Sequence, residues 1–273
     1  MSKKTKAVSV ASVALMTVLI GALTLSAQVR NGSDTEVDTE VYDNFNSKWL
    51  APNKWTPMGD CWGGKALECV REIQDGKLRL AIRGVGDRNS DSGDQFASSF
   101  LGFNSAVPFH SITATVTIRS ANGGTCSTNP FTGVAKATMG GAFFNPGTGN
   151  SGDDIHAFLV LSSYSTLDPT MLDVGGWIGS GNGVNIWTHM GNYPKGTQIV
   201  GTVAWDQANH QFVFTVKPRE GQLNQVAVPY YLPDSQPPVS SMQVLDVDAD
   251  PANCSSALSF AHTDARFDNV IVK

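Results

Sequence analysis

An all-β sandwich is the fold class this sequence predicts, and three observations predict it. Short runs place apolar residues at every second position, turn-forming residues separate the runs, and no segment beyond residue 27 sustains a helical period. Side chains alternate between faces along a strand, so a run with one apolar and one polar side reads as a strand lying on a core. A chain of this length can bury one full core in that architecture.

Taken in order, the chain begins with Lys3, Lys4 and Lys6, followed by the uncharged stretch Ala7–Ala27, which closes on Thr24-Leu25-Ser26-Ala27. A basic head, an apolar middle and small residues at the end read as a secretory signal, cleaved after about Ala27. The competing reading is a retained anchor, since about 20 apolar residues can cross a bilayer; Ser9, Ser12, Thr17 and Thr24 weaken it. Residues 28–40 form a polar lead-in, and residues 41–273 one domain.

Val41–Phe45 opens that domain. Leu67–Ile73 and a strand carrying Leu78, Leu80 and Ile82, with Arg79 and Arg83 opposite, flank Asp75-Gly76, a hairpin turn pair. Gln95–Phe103 follows, then Ile112–Arg119, where Ile112, Ala114, Val116 and Ile118 alternate with threonines and Arg119. Ala135–Phe144 comes next, and then Ile155–Leu161, apolar on both faces as a central strand covered on both sides would be. Val184–Thr188, Gln198–Trp205, a strand with Phe212, Phe214 and Val216, Gln225–Tyr231 and Ala265–Val272 complete the set. Gly84–Asp94, Ala121–Gly133, Asn145–Asp154, Gly175–Gly183, Gly191–Gly196 and Pro233–Pro238 read as loops. Few or no helices are expected.

The net charge is −5, and cleavage after Ala27 would remove three lysines and no acidic residue. Nucleic acid and anionic membrane both demand basic patches, so neither is an expected partner. Four cysteines, Cys61, Cys69, Cys126 and Cys254, lie beyond the signal. An even number in an exported chain reads as disulfides with three connectivities, of which a local Cys61–Cys69 loop and a long-range Cys126–Cys254 staple are favoured. Zinc would want paired Cys-x-x-Cys or Cys/His spacing, which the sequence lacks. Signal and cysteines together point to a secreted or periplasmic protein.

Three segments resemble a known family. Tyr42-Asp43-Asn44-Phe45-Asn46, followed by Leu50-Ala51-Pro52-Asn53-Lys54-Trp55, is similar to the opening of bacterial concanavalin-like (LamG-like) domains. Arg266-Phe267-Asp268-Asn269-Val270-Ile271-Val272 resembles their closing strand, and the hairpin from Thr202 through Trp205 to Phe212 and Phe214 resembles one late in such domains. The resemblance spans residues 41–273 and implies a jelly-roll sandwich of two antiparallel sheets with first and last strands side by side. Lectin-like modules, glycoside hydrolases, lyases and structural domains share that fold, so it does not choose a function.

Hydrolases of the family carry a Glu-x-Asp-x-(x)-Glu run on a central strand, two carboxylates working as nucleophile and acid/base. Glu36-Val37-Asp38-Thr39-Glu40 has that spacing but precedes the first strand, which makes it a coincidence. Asp246-Val247-Asp248-Ala249-Asp250 begins like a calcium loop, yet Pro251 and Ala257 occupy the positions needing Gly and Glu, so it reads as a solvated acidic loop. Jelly-roll modules of the family bind structural calcium near their terminal strands, which makes Asp43 and Asp268 a candidate Ca²⁺ pair; the competing reading is two edge carboxylates bonding their own loops. Asp154 and His156 would share a strand face as a candidate acid/base pair, against the reading as a structural hydrogen bond. No His-Glu-x-x-His, Gly-x-Ser-x-Gly or P-loop occurs, nor do the Arg-x-Glu-Leu and Gln-x-His segments of the family's lyases.

The remaining signal is an inventory of aromatic and amide residues: Trp62, Phe144, Asn145, Trp177, Asn182, Trp187, Asn192 and Tyr193. Sugars stack their apolar faces on aromatic rings while amides and carboxylates take the hydroxyls. Trp177, Trp187, Tyr193, Asn145, Asp154 and His156 are therefore the expected ligand-binding residues, with binding and packing both open for the aromatics; Trp55 and Trp205 read as core. The leading expectation is non-catalytic recognition of a glycan or other cell-surface ligand by loop aromatics and the concave sheet. A polysaccharide-active enzyme and a structural or adhesive protein-binding module are the alternatives.

Overall fold

The structure, a computed structural model, describes residues 41–56, 61–63 and 65–273; the apolar segment 1–27, the lead-in 28–40 and the Glu36–Glu40 run lie outside the described residues. From Val41 onward the described residues belong to one compact unit. Its strands are β1 (Val41–Asp43), β2 (Trp55–Thr56), β3 (Ala66–Gln74), β4 (Lys77–Val85) and β5 (Ala97–Phe103). Then come β6 (Ser111–Asn122), β7 (Val134–Phe144), β8 (Ile155–Tyr164), β9 (Met171–Gly179) and β10 (Asn185–Pro194). The last five are β11 (Ile199–Asp206), β12 (Gln211–Pro218), β13 (Asn224–Pro229), β14 (Gln243–Asp250) and β15 (Phe260–Val272).

Two antiparallel sheets form. One runs β13-β12-β11-β6-β15-β4-β3 with β1 added against β15, and the other runs β10-β9-β8-β7-β14-β5-β2. This is the concanavalin-like jelly-roll sandwich, and its first and last strands pair through Val41 opposite Ile271 and Asp43 opposite Val270. The alternating runs behave as their chemistry requires. Leu78, Leu80 and Ile82 are buried, as are Phe212, Phe214 and Val216, while their polar neighbours face outward. Asp75 and Gly76 both adopt positive φ, 54° and 68°, which matches the turn twist to the strand twist and closes the β3–β4 hairpin. Trp55 is core, and Trp205 packs on the core's edge against His110 and Phe144.

Both favoured disulfides are present, Cys61–Cys69 across 8 positions and Cys126–Cys254 across 128. Four sequence expectations need correction. Gly175–Gly179 is the end of strand β9, and Gly191–Pro194 the end of β10. Asp246–Asp250 is the end of β14, an inner strand between β7 and β5. Ile155–Leu161 is central, as expected, but only one of its faces is covered by the other sheet; the opposite face looks into a groove.

Candidate ligand-binding groove

The groove lies on the face of the second sheet turned away from the core. On β14, Leu245, Val247 and Ala249 are fully buried between the sheets, so Asp246, Asp248 and Asp250 point the other way. The same alternation aims Lys136 and Thr138 outward from β7, Phe158 and Val160 from β8, and Trp177 from β9. Strand register then lines these side chains up. Asp248 lies opposite Lys136, Asp246 opposite Thr138, Thr138 opposite Val160, Phe158 opposite Trp177, and Trp177 opposite Trp187 of β10. The resulting groove has a volume of about 370 Å³.

One end of it is an aromatic floor. A Cβ added to Gly175 would come within 2.4 Å of the Trp187 ring, and one added to Gly179 within 2.0 Å of the Trp177 ring. Both indoles therefore lie down on glycine backbone. The Trp177 Nε1 donates to Asn185 Oδ1 at 2.8 Å, which fixes the ring's rotation. Phe158 stacks near Trp177, centroids 5.9 Å apart, and His156 continues the row at 6.3 Å from Phe158. Trp187 keeps 40% of its surface exposed, so its free face meets solvent.

The other end is charged. Lys136 Nζ stands 3.2 Å from Asp248 and 3.3 Å from Asp250, and the Ser98 hydroxyl donates to Asp246 at 2.8 Å. The Oδ1 atoms of Asp248 and Asp250 are buried without a donor. Burial pushes the Asp250 carboxyl up to about 7, with Lys136 opposing. Burial, and then the charge of Asp248, hold Asp246 well above the ordinary carboxylate range, although part of its surface stays exposed. Burial pulls the Lys136 ammonium down, and the two aspartates outweigh it and hold it above its usual value. This end can give or hold protons near neutral pH, and its three carboxyls share one cation.

Of the expected ligand residues, Trp177, Trp187 and His156 share this face. Tyr193 does not: it lies opposite buried Leu172, packs on the core and donates its hydroxyl to the Met190 carbonyl at 3.2 Å. Asn145 is buried, its Oδ1 accepting from the amides of Gly147, Thr148 and Gly149, so it ties its own turn. Asp154 is fully buried and accepts from Asn145 Nδ2 and from the amides of Val239 and Ser240 at 2.8–2.9 Å. The Nδ1 of His156 meets the Asp154 main-chain carbonyl at 2.9 Å, not its carboxylate, so the two side chains form no acid/base pair.

Asp43 accepts from the Phe45 amide and Trp55 Nε1, and Asp268 from Asn269 and the Lys77 ammonium at 3.0 Å. All four oxygens have protein donors, one of them a cation, so this donor set does not fit a shared calcium ion. Asp91 lies close to Cys126 and Cys254, but those sulfurs are bonded to each other and offer no thiolate.

Lys136, Thr138, Phe158 and the three aspartates of β14 were missed in the sequence. The signal for the aspartates was present, since Asp-Val-Asp-Ala-Asp alternates as a strand does.

The sequence matches no protein-family model and no curated protein. Solved structures do match in shape. A prokaryotic β-1,3-1,4-glucanase (lichenase) derived from a mouse hindgut metagenome is 11% identical with a TM-score of 0.45, covering 83% of this chain and 97% of its own. A glycosyl hydrolase family 16 protein from Mycobacterium smegmatis is 14% identical, TM-score 0.43, over 87% and 99%. A legume lectin-like domain from Entamoeba histolytica is 9% identical, TM-score 0.37, over 83% and 96%.

Proposed function

We propose that this protein binds a glycan in the groove of its second sheet. The observation that carries the reading is the pair of indoles seated on Gly175 and Gly179, which hold flat, pre-oriented ring faces toward an open channel. Rings fixed before the ligand arrives lose little entropy on binding, and a sugar's apolar face matches them in shape. Thr138, His156 and the β14 carboxylates then offer polar partners along a chain that extends from the indoles. Two disulfides suit an oxidising compartment, and no helix among the described residues is long and apolar enough to cross a membrane; both support action outside the cytoplasm.

A hydrolase is the second reading, and Asp246 favours it. A carboxyl held well above the ordinary range in the same groove as a sugar platform can protonate a leaving oxygen, with the Asp248 carboxyl two positions along the strand as the second acidic group.

Incubating the disulfide-bonded protein with a polysaccharide panel, while measuring both retention and released reducing ends, tests the two together. Retention that falls about tenfold or more in Trp177→Ala and Trp187→Ala, with melting unchanged, is the expected result. Released product that disappears in Asp246→Asn moves the conclusion to the hydrolase. Retention unaffected by either tryptophan removes the groove as the site.

A further inference from the structure

Three carboxylates in the groove share one ammonium. Lys136 is the only cation among the described residues lining it, and it sits between Asp248 and Asp250. Asp246 is left with a neutral donor, the Ser98 hydroxyl. Two buried acceptors, Asp248 Oδ1 and Asp250 Oδ1, have no donor at all. Three carboxyls beside one ammonium favour a cationic chain over a neutral or anionic one, because an arriving positive charge lets a protonated carboxyl ionise.

Register connects these carboxyls to the aromatic floor. Asp246 lies opposite Thr138, Thr138 opposite Val160, and Val160 opposite Gly175, on which the Trp187 ring rests. Three strand spacings, about 14 Å, separate the two ends of that row. A sugar chain stacked on the indoles and running along the row therefore brings its substituents to Asp246. A carboxyl whose hydrogen-bond donor is a neutral hydroxyl is also a partner that an ammonium group prefers, through a charge-assisted hydrogen bond.

We propose that the ligand is a glycan carrying free amino groups, one of whose ammonium ions sits against Asp246 and supplies the positive charge that Lys136 leaves wanting. This rests on the glycan reading above and names the class of sugar. The carboxyl of Asp246, held up by burial and by Asp248, ionises as the ammonium arrives, so binding releases a proton. The charged groups that act on it are Asp248 on its own strand and Lys136 on β7, and Lys136 is in turn acted on by Asp250 and by Asp94 ahead of β5.

The test compares glucosamine oligosaccharides, their N-acetylated counterparts and a neutral glucan of equal length, by calorimetry at pH 5 and pH 7. The amine form is expected to bind about tenfold tighter than the other two at pH 7, with the ratio smaller at pH 5 where Asp246 holds its proton. In Asp246→Asn that ratio should fall toward one. Should this variant not fold, titration of the unaltered protein at pH 5, where the sugar amine arrives fully protonated, in two buffers of different ionisation enthalpy decides, since release of the Asp246 proton on amine binding supports the proposal and none overturns it. Equal or tighter binding of the neutral glucan overturns the amine assignment and leaves the glycan reading standing. Binding of none of the three, while Trp177→Ala changes nothing, ends both. Calcium that displaces the amine sugar from the groove, and binds there alone, overturns the proposal in favour of a metal.

Discussion

A single methyl group added at Gly175 or Gly179 would strike an indole ring, at 2.4 Å from Trp187 and 2.0 Å from Trp177. Both glycines have ordinary strand backbone, so the conflict is steric and not conformational. Gly175→Ala and Gly179→Ala are expected to lift the rings, cost about 1–3 kcal/mol of stability and weaken glycan retention. Near-ultraviolet circular dichroism and thermal melting read this directly; unchanged spectra and melting would mean the rings do not rest there.

Asp250 sets a second residue-scale expectation. Its folded pKa of about 7 lies above the unfolded value of about 4, so the native state binds its proton more tightly. The stability this gives is fully present below about pH 4 and is lost as pH rises through 7, on the order of a few kcal/mol at most. Hydrogen bonds lower Asp91, Asp153, Asp168 and Asp206, which act in the opposite sense and only below about pH 4; these groups are exposed and contribute little. Asp250 therefore pulls the melting temperature down between pH 4.5 and 7.5, against the lowered His156 and His262, and Asp250→Asn should remove that pull. A variant whose pH profile matches the wild type's would contradict the assignment.

At the scale of elements, the strands that sequence reading found and those it missed differ for a physical reason. β4, β6 and β12 alternate apolar residues with charged or hydroxyl residues, and their pattern is visible because one face is core and the other is solvent. β9 hid because three of its residues are glycine, and glycine usually marks a turn. Here it makes room: Gly175 and Gly179 lie under indoles, and a Cβ on Gly176 would strike the Phe214 ring at 2.5 Å. β14 hid because its acidic residues suggested a solvated loop, although they alternate with Val247 and Ala249 and line the groove. The two strands that carry most of the site were thus the two whose composition serves the site more than the fold. Trp177 and Trp187 were legible as groove candidates by side-chain type alone, whereas Asn145 spends its ligand-like chemistry on its own turn and Asp154 on the amides of Val239 and Ser240.

The disulfides act on elements too. Cys126–Cys254 joins the segment after β6 to the segment after β14, closing a loop of 128 positions, while Cys61–Cys69 closes one of 8. Loop-closure entropy gives about 5 kcal/mol for the long bridge and about 2.5 kcal/mol for the short one. Denaturant unfolding of Cys126→Ala/Cys254→Ala should show the larger loss and that of Cys61→Ala/Cys69→Ala the smaller. The reverse order would place the stabilisation in native contacts of the β3 hairpin.

Across the whole of the described unit, the last strand in chain order is an inner one. β15 lies between β6 and β4 and also receives β1, so it joins both ends of the domain to its middle. It buries Ala261, Ala265, Phe267 and Val270 between the sheets. It also supplies Asp264, which takes a two-toothed hydrogen bond from Arg79, 185 positions earlier. Without β15 the first sheet falls into two pieces with unpaired edges on either side of the gap, and the opposing sheet loses part of the apolar surface it packs on. Burial of those four side chains alone is worth several kcal/mol, comparable with the net stability of a whole domain. A chain ended at Ser259 is therefore expected to show no cooperative melt and to expose hydrophobic surface to a dye such as ANS. A chain ended at Val272 should melt like the full one, since Lys273 lies beyond the strand. If the shorter chain still melts cooperatively, the two sheets must be able to close without their shared strand, and the pairing of β15 with β6 and β4 would not be what holds the first sheet together.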